Sequence, residues 1–492
     1  MIMEQIRFDF NNLFGVSIGN EHGVQEGDIR EMQDRIRQAQ EHLVKVIADS
    51  RNRVKLGLEW TQLPLQDKKI IKSIQALGRE ISDRYDNAIF LGIGGSYLGL
   101  KAAQDALCVP YYNEFPSVRK GRPRIYFEGN NLDPETLNAL LKNLNPKKTF
   151  VVVISKSGET TETKAAFMVV EEWLKKNVGK KYGRQVAAIT DPESGNLRKI
   201  VNKEQANDPL SFRSLPLLKG VGGRYSELNM GLLHLAVIGV DIQEVLDGAK
   251  AMARRCSQED LFKNPAFLYA VLHTILYRKY AKPLAILMPF SETLKSTADW
   301  YVQLLAESLG KKYARKVLVT SDGKEDWEKD PAHIVNAGRT PISARGTNDL
   351  HSIQQNNIEG ENNKVVTFIR VEEFRNDVKI PGKEDILAGR RYSELIKLAQ
   401  EATEWALVRE SRPNCTIIMP EVSPYCWGGL LFFFELATAF EGELLDVNAF
   451  DQPGVEGYKN YVYFKLNKQG MPSEISQAIK NNPLIKDEKY II

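Results

Sequence analysis

Hydrophobic and polar positions alternate in two different ways along the chain. Between residues 27 and 84, apolar residues recur at steps of three and four among many charges, for example Met32, Ile36 and Leu43. This spacing is typical of amphipathic helices. From Asn87 onward, short apolar runs bounded by Gly, Ser or Asn are separated by helical stretches. That change indicates a parallel sheet with crossover helices.

The apolar runs fall into two sets of predicted strands. The first set is 88–93, 124–128, 149–154 and 185–190, and the second is 284–288, 364–370 and 414–419. Between the sets, residues 226–280 are mostly helical in pattern, with a break near Pro265. Further helices are expected near 295–310, 348–360, 391–410 and 424–441, and one helix with a polar tail is expected after Gln452.

This pattern predicts two α/β halves of similar construction with helical segments at both ends. The expected boundaries are a helical N-terminal segment at 1–85, a first α/β domain at 86–240, a helical connector at 241–282, a second α/β domain at 283–445, and a C-terminal helix and tail at 446–492. A chain of 492 residues is long enough for two or three such cores.

Composition narrows the function classes. A charged fraction of 26% and a net charge of +3 are ordinary for a globular protein, so neither nucleic acid nor an anionic membrane is an expected partner. Cys108, Cys256, Cys415 and Cys426 form no CxxC pair, which favours a reducing compartment. The N-terminal stretch has charges where a signal peptide needs an apolar segment, and the apolar run 428–440 is too short to cross a bilayer. A cytoplasmic location is expected.

A hydroxyl-rich loop follows the strand at 149–154. Ser155, Lys156, Ser157 and Thr160 lie between this strand and a helix that is expected to begin at Thr160 or Thr161. Free backbone N–H groups, a helix dipole and hydroxyl donors suit a phosphate group. Helix capping by one hydroxyl is the alternative explanation. Because the loop lacks the P-loop spacing, we expect a phosphomonoester rather than a nucleoside triphosphate.

A glycine-rich turn, Gly92 to Gly99, follows the first strand and would let a ligand approach the backbone closely. A dinucleotide fold would also carry such a turn, but the spacing here is not GxGxxG with a following acid.

Six segments together resemble the glucose-6-phosphate isomerase family. They are GIGGSYLG at 92–99, SKSGETTE at 155–162, VGGRYSELNMGLL at 221–233, QLLAESLGKKY at 303–313, GTNDLHSIQQ at 346–355 and FDQPGVEGYK at 450–459. The resemblance implies two α/β/α sandwich (sugar isomerase) domains, a homodimer, and an active site that includes a histidine from the neighbouring subunit. The implied reaction is the interconversion of glucose 6-phosphate and fructose 6-phosphate, in glycolysis and gluconeogenesis, by ring opening and proton transfer through a cis-enediolate.

The same resemblance implies roles for particular residues. It makes Glu307 the catalytic base, His351 the ring-opening histidine, Lys459 a C-terminal catalytic lysine and Arg224 the arginine beside the substrate. The implied substrate contacts are Gly95, Ser96, Ser155, Lys156, Ser157, Thr160, Gln303 and Gln452.

These residue types suit an aldose–ketose isomerisation. A histidine titrates near neutral pH and can open the sugar ring, with Lys459 as a second proton carrier. A single carboxylate can move a proton between C2 and C1 if the substrate is held in place. Gln303 lies four residues before Glu307 in a predicted helix, so both side chains should share one face. A permanently charged Arg224 can stabilise the enediolate.

Two departures from the family pattern stand out. Glu159 occupies a position of the phosphate turn where a hydroxyl residue is usual, and we expect its carboxylate to point outward. The charged stretch 318–345 is expected to be a surface insertion without a catalytic role.

No metal or cofactor is expected. The six histidines, at 22, 42, 234, 273, 333 and 351, form no HxH or HExxH pair. Two other functions stay open at this point: a non-catalytic phosphosugar sensor, which would have no use for Glu307, His351 and Lys459, and an isomerase for another sugar phosphate. The chain has no glutamine amidotransferase segment with an N-terminal nucleophilic cysteine, which argues against a glucosamine-forming enzyme.

Overall fold

A computed structural model describes residues 5–492 of the chain. The contacts between residues divide it into two units, one ending at Ala449 and one spanning Phe450–Ile492.

The strands are β1 (Arg7–Asp9), β2 (Asn87–Leu91), β3 (Arg124–Glu128), β4 (Thr149–Ile154), β5 (Val186–Thr190), β6 (Arg213–Pro216), β7 (Leu284–Pro289), β8 (Lys311–Val319), β9 (Glu325–Ala337), β10 (Thr340–Ser343), β11 (Lys364–Glu373) and β12 (Asn414–Glu421). The α-helices are α1 (Gly15–Ile18), α2 (Glu26–Glu31), α3 (Gln33–Ala48), α4 (Ser50–Lys55), α5 (Lys68–Arg84), α6 (Leu98–Leu107), α7 (Pro116–Arg119), α8 (Pro134–Asn143), α9 (Thr161–Val178), α10 (Asn196–Asn207), α11 (Glu227–Met230), α12 (Leu232–Ile238), α13 (Ile242–Arg255), α14 (Pro265–Arg278), α15 (Lys295–Leu309), α16 (Gln354–Glu359), α17 (Tyr392–Arg409), α18 (Pro424–Leu445), α19 (Glu456–Lys465) and α20 (Ser473–Asn481). Short 3₁₀ turns lie at Asn11–Leu13, Glu59–Leu65, Gly94–Ser96, Pro146–Lys148, Gly179–Gln185, Gly223–Tyr225, Leu261–Lys263, Glu292–Leu294, Asn348–His351, Pro453–Val455 and Glu488–Tyr490.

The first sheet is fully parallel and has the order β3-β2-β4-β5-β6. Strands β2, β4 and β5 are buried along their whole length. Parallel strands covered on both faces are expected to be continuous apolar runs, which is why the sequence predicts them well. Apolar side chains of α8, α9 and α10, such as Leu140, Phe167 and Val201, pack against this sheet. The strand order reverses at β2, so β2 and β4 form a switch point where ligands bind in open α/β sheets.

The second sheet has the order β1-β12-β11-β7-β10. Its strands β7, β10, β11 and β12 are parallel, and only β1 runs antiparallel, along the edge formed by β12. The prediction of an α/β fold with mainly parallel sheets is therefore confirmed. The first sheet spans 87–216, and the second is made of β1 and the strands within 284–421. The exact domain boundaries given above stay a prediction.

The expectation of a surface insertion at 318–345 is wrong in part. Residues 311–337 form the antiparallel hairpin β8–β9, and β10 is an edge strand of the second sheet that pairs with β7. Arg339 in the same stretch is buried and makes a bidentate ion pair with Glu441, at 2.7 and 2.6 Å. The sequence pattern did not predict these strands because a charged stretch is normally interpreted as an exposed loop. Here several of the charged side chains are buried in ion pairs. Strands β1 and β6 were also not predicted, because three or four residues carry too little pattern.

The second unit contains two α-helices, α19 and α20, so the expectation of one helix and a tail is wrong. The helix α19 ends at Lys465, Asn467 follows it in the left-handed region with φ of +53°, and Pro472 precedes α20. A left-handed residue after one helix and a proline before the next are common at helix boundaries.

Two further findings apply to residues 5–492. No helix there is long and apolar enough to cross a membrane. The four cysteines are all buried and free.

Candidate active site

The hydroxyl turn lies where β4 ends, at the switch point of the first sheet. The Ser155 Oγ accepts a hydrogen bond from the Gly158 N–H at 3.0 Å, and the Ser157 Oγ accepts one from the Glu159 N–H at 3.1 Å. Each serine uses a lone pair in this way, which leaves its O–H to donate to a ligand. The helix α9 begins at Thr161, as expected, but the Thr160 side chain makes no capping bond. Helix capping therefore does not account for these hydroxyls.

Glu159 was expected to point outward, and its carboxylate is partly exposed and held by two neighbours. Its carboxylate accepts a hydrogen bond from the Asn196 side chain and lies 3.3 Å from the Lys164 Nζ. The lysine charge partly offsets the repulsion that this carboxylate would exert on a phosphate. Lys156 is exposed, and its carbonyl holds the turn by accepting from the Thr190 hydroxyl at 3.1 Å.

The glycine turn after β2 has the first turn of α9 near one side and the Arg224 loop on the other. Gly129, at the end of β3, lies between this turn and α9, because a Cβ placed there would be 3.2 Å from the Thr163 Cα and 3.7 Å from the Gly92 nitrogen. On the other side, a Cβ at Gly95 would lie only 1.8 Å from the Gly223 carbonyl oxygen. The turn therefore packs directly against the loop that carries Arg224, with half-buried Ser96 at its end.

Arg224 and Glu307 form the charged centre of the site. The Arg224 side chain is 2% exposed, and its Nη1 lies 3.3 Å from the Glu307 Oε2. The Arg224 Nε donates to the Ser308 Oγ at 2.8 Å, and its Nη2 donates to the Ala449 carbonyl at 2.7 Å. The guanidinium is thus held on two sides and presents its third nitrogen to the carboxylate.

Helix α15 supplies the carboxylate. The Gln303 Nε2 donates to the Glu307 Oε1 at 3.2 Å, so the expected common face is confirmed. A Cβ at Gly94 would lie 2.8 Å from the same Gln303 nitrogen, which places this face against the glycine turn. The buried Lys311 donates to the carbonyls of Glu307 and Ser308 at 2.6 and 2.9 Å. A cation at the helix C-terminus stabilises the last turn, on which the carboxylate is carried.

Two buried carboxyl groups, those of Glu227 and Glu435, interact with each other in the core. Glu227 is three residues after Arg224, and the Trp300 indole donates to its Oε1 at 2.7 Å. Burial raises the pKa of Glu227 far above its usual range, and burial together with the neighbouring Glu227 does the same for the pKa of Glu435. The raised pKa values mean that this pair tends to keep a proton, so it carries less negative charge than two ordinary carboxylates would.

The remaining predicted residues are His351, Gln452 and Lys459. His351 ends the 3₁₀ turn Asn348–His351 and is exposed, and its side chain makes no hydrogen bond with any residue in 5–492. Gln452 and Lys459 lie in the second unit, where the Lys459 Nζ forms an ion pair with Glu456 at 2.9 Å. Their roles stay predictions.

Sequence reasoning missed the partners that hold the arginine. Ser308 follows Glu307 directly and is buried, but a buried serine has no recognisable sequence signal. The Ala449 carbonyl is a backbone group and could not be found from residue types at all.

A switch-point site with a phosphate-type turn and a carboxylate beside a buried arginine defines an α/β enzyme of the sugar-phosphate isomerase class. The chain belongs to the phosphoglucose isomerase family, whose model matches residues 68–474. It is 39% identical to a glucose-6-phosphate isomerase of Carboxydothermus hydrogenoformans, over 99% of each chain. It is 32% identical to a probable glucose-6-phosphate isomerase of Methanococcus maripaludis, over 96% of each.

Solved structures share the fold of this chain. A hypothetical protein from Thermus thermophilus is 31% identical, with a TM-score of 0.77, and the match covers 94% of this chain and 100% of that one. A glucose-6-phosphate isomerase from Chlamydia trachomatis shares the fold, with a TM-score of 0.69 at 23% identity, over 86% of this chain and 80% of that one.

Proposed function

We propose that Glu307 and Arg224 carry the interconversion of D-glucose 6-phosphate and D-fructose 6-phosphate, the reaction of the family to which the chain belongs. The observation that carries this assignment is the 3.3 Å separation between the Arg224 Nη1 and the Glu307 Oε2, beside the glycine turn of the switch point. In this proposal the substrate phosphate binds the turn of Ser155, Lys156, Ser157 and Thr160, with Gly95, Ser96, Gln303 and Gln452 as further contacts.

The close pair of Arg224 and Glu307 explains how negative charge would be stabilised during the reaction. In the resting site the guanidinium faces the Glu307 carboxylate. When Glu307 takes the C2 proton it becomes neutral, and the negative charge moves to the enediolate oxygens. The same guanidinium can then stabilise that charge without having to move, which is how preorganised donors lower a barrier. Glu307 returns the proton to C1 on the same face of the sugar.

Ring opening is assigned to His351, with Lys459 as a second proton carrier. The exposed position of His351 supports a role at a neighbouring subunit's site. The proposal therefore includes a homodimer with shared active sites and a cytoplasmic location. Sedimentation at the assay concentration tests the homodimer. A monomer with full turnover would contradict shared active sites.

The direct test of the base is the variant Glu307→Gln. The amide keeps the size and the hydrogen bond from Gln303 but cannot take a proton, so kcat should fall by at least about a hundredfold. A coupled assay with fructose 6-phosphate in the presence of EDTA measures this loss and also tests metal independence.

Glu292→Gln is the matched control, because Glu292 lies on the exposed turn just before α15 and its carboxylate pairs with Arg345. It should retain wild-type turnover. Wild-type kcat in Glu307→Gln would remove the base assignment, and loss of activity in EDTA would contradict the metal-free reaction.

A further inference from the structure

The orientation of the Arg224 guanidinium is set by groups outside the substrate side of the site. Its Nε–H is bound by the Ser308 hydroxyl at 2.8 Å, and this serine has no exposed surface. Ser308 is the residue next to the proposed base, and consecutive residues of a helix point about 100° apart. The last turn of α15 can therefore present the carboxylate to the substrate and the hydroxyl to the arginine.

We propose that Ser308 is a positioning residue for Arg224. It fixes the plane of the guanidinium so that Nη1 faces the carbon atoms between which the proton moves. This inference rests on the proposed role of Arg224 and extends it to a residue that does not touch the substrate.

The surroundings of Ser308 favour a held hydroxyl over a freely rotating one. The Tyr225 hydroxyl lies 3.1 Å from the Ser308 Oγ, so the serine is engaged by the arginine and the tyrosine together. The Tyr225 ring is itself stacked on Trp60, with ring centres 4.9 Å apart and an angle of 25°. Lys311 fixes the Ser308 carbonyl at 2.9 Å. The hydroxyl therefore has one direction available in which to accept from Arg224.

A positioning role differs measurably from a purely structural one. The enediolate charge is present only near the transition state, so a misaligned guanidinium lowers kcat and leaves substrate binding nearly unchanged. A five-carbon sugar phosphate ending in a hydroxamate imitates that charge, whereas sorbitol 6-phosphate carries the phosphate without it. Only the inhibition constant of the hydroxamate should depend on the orientation of Arg224.

The experiment compares Ser308→Ala with the wild type. We expect kcat for fructose 6-phosphate to fall by about 10- to 100-fold, the range for a small displacement of a catalytic group, with KM changed by less than about twofold. The inhibition constant of the hydroxamate should rise by a similar factor as kcat falls, and that of sorbitol 6-phosphate should stay constant. Tyr225→Phe removes one hydroxyl and should shift the same quantities in the same direction by a smaller factor.

Thr297→Ala is the matched control, because Thr297 is a fully buried hydroxyl on the same helix, bonded to Trp427 at 3.4 Å. It should lower the melting temperature without changing kcat. Wild-type kinetics in both Ser308→Ala and Tyr225→Phe, or equal weakening of both inhibitors, would overturn the positioning role. Wild-type kcat in Arg224→Lys would instead overturn the proposed role of the arginine, so the two failures are distinguishable.

Discussion

Single residues in this site are constrained by atoms less than 4 Å away. The tightest case is Gly95, where an added Cβ would lie 1.8 Å from the Gly223 carbonyl oxygen and 2.9 Å from the Arg224 nitrogen. Since neither neighbour is a flexible side chain, the backbone of one loop would have to move. Any such movement would displace the arginine from the base.

Gly95→Ala is therefore expected to lower kcat by at least about a hundredfold, because a shift of about 1 Å in a catalytic group has this effect. Turnover of purified protein measures it. Gly222→Ala is the control on the facing loop, since its Cβ would meet only the Tyr225 ring at an ordinary 3.9 Å. Equal activities of the two variants would contradict the close packing of these loops.

The sequence alone could predict that Gln303 lies beside Glu307, the proposed base, but it could not predict the partners of Arg224. Gln303 and Glu307 are four residues apart, so helix geometry alone puts them on one face. The Arg224 contacts with Ser308 and Ala449 join residues 84 and 225 positions apart along the chain. No local spacing carries such information, because it arises only when the helices are packed.

At the scale of elements, a cluster of charges joins α3, the β8–β9 hairpin and α18. The His42 ring lies between two carboxylates, with Nδ1 2.7 Å from Glu443 and Nε2 2.8 Å from Glu325. Arg315 holds Glu443 in a bidentate pair at 2.6 and 2.8 Å. Lys45 lies 3.0 Å from Glu325. This cluster explains why charged sequence near 318–345 is partly buried.

The cluster predicts a pH-dependent stability. The hydrogen bond to Glu443 raises the pKa of His42 above 6.5, against the opposing effect of burial. A raised pKa in the folded state stabilises the protein fully below 6.5, and this contribution is lost as pH rises through the raised value. The free-energy difference of unfolding between wild type and His42→Gln should therefore be larger at about pH 6 than at about pH 9.

Urea denaturation at the two pH values measures this difference. His333→Gln is the control, since that histidine is exposed on the same hairpin and pairs only with Asp330. An equal effect of His42→Gln at both pH values would show that the histidine is not held as a cation.

At the acid end of the pH range, burial opposes ionisation of Glu443, but its hydrogen bonds from Arg315 and His42 lower its pKa to about 2.

Fully buried strands were predicted correctly from the sequence, and partly exposed strands were not. The strands β2, β4 and β5 are apolar throughout because helices cover both faces of a parallel sheet. The hairpin strands are partly exposed and carry alternating charges, so they resemble a loop in the sequence. The pairing of these strands depends on partners far away in the sequence, such as Glu443. The β-propensity of a local segment contains no information about such partners.

At the scale of the whole molecule, the two sheets share one topology. In each, the first parallel strand in sequence lies between the second and the third, as β2 lies between β3 and β4 and β7 lies between β10 and β11. The site uses the switch point of the first sheet and a helix, α15, that follows the first parallel strand of the second. The proposed base is thus carried by one half of the protein and the proposed phosphate turn by the other.

The central claim is that Glu307 moves a proton through an enediolate. Conversion of fructose 6-phosphate in deuterium oxide, followed by NMR of the glucose 6-phosphate formed, tests it most directly. A proton held on a carboxylate exchanges with solvent, so deuterium should appear at C2, and both exchange and turnover should be lost in Glu307→Gln. Product formed at the wild-type rate with no deuterium at C2 would indicate a hydride shift between the carbons and would contradict the account.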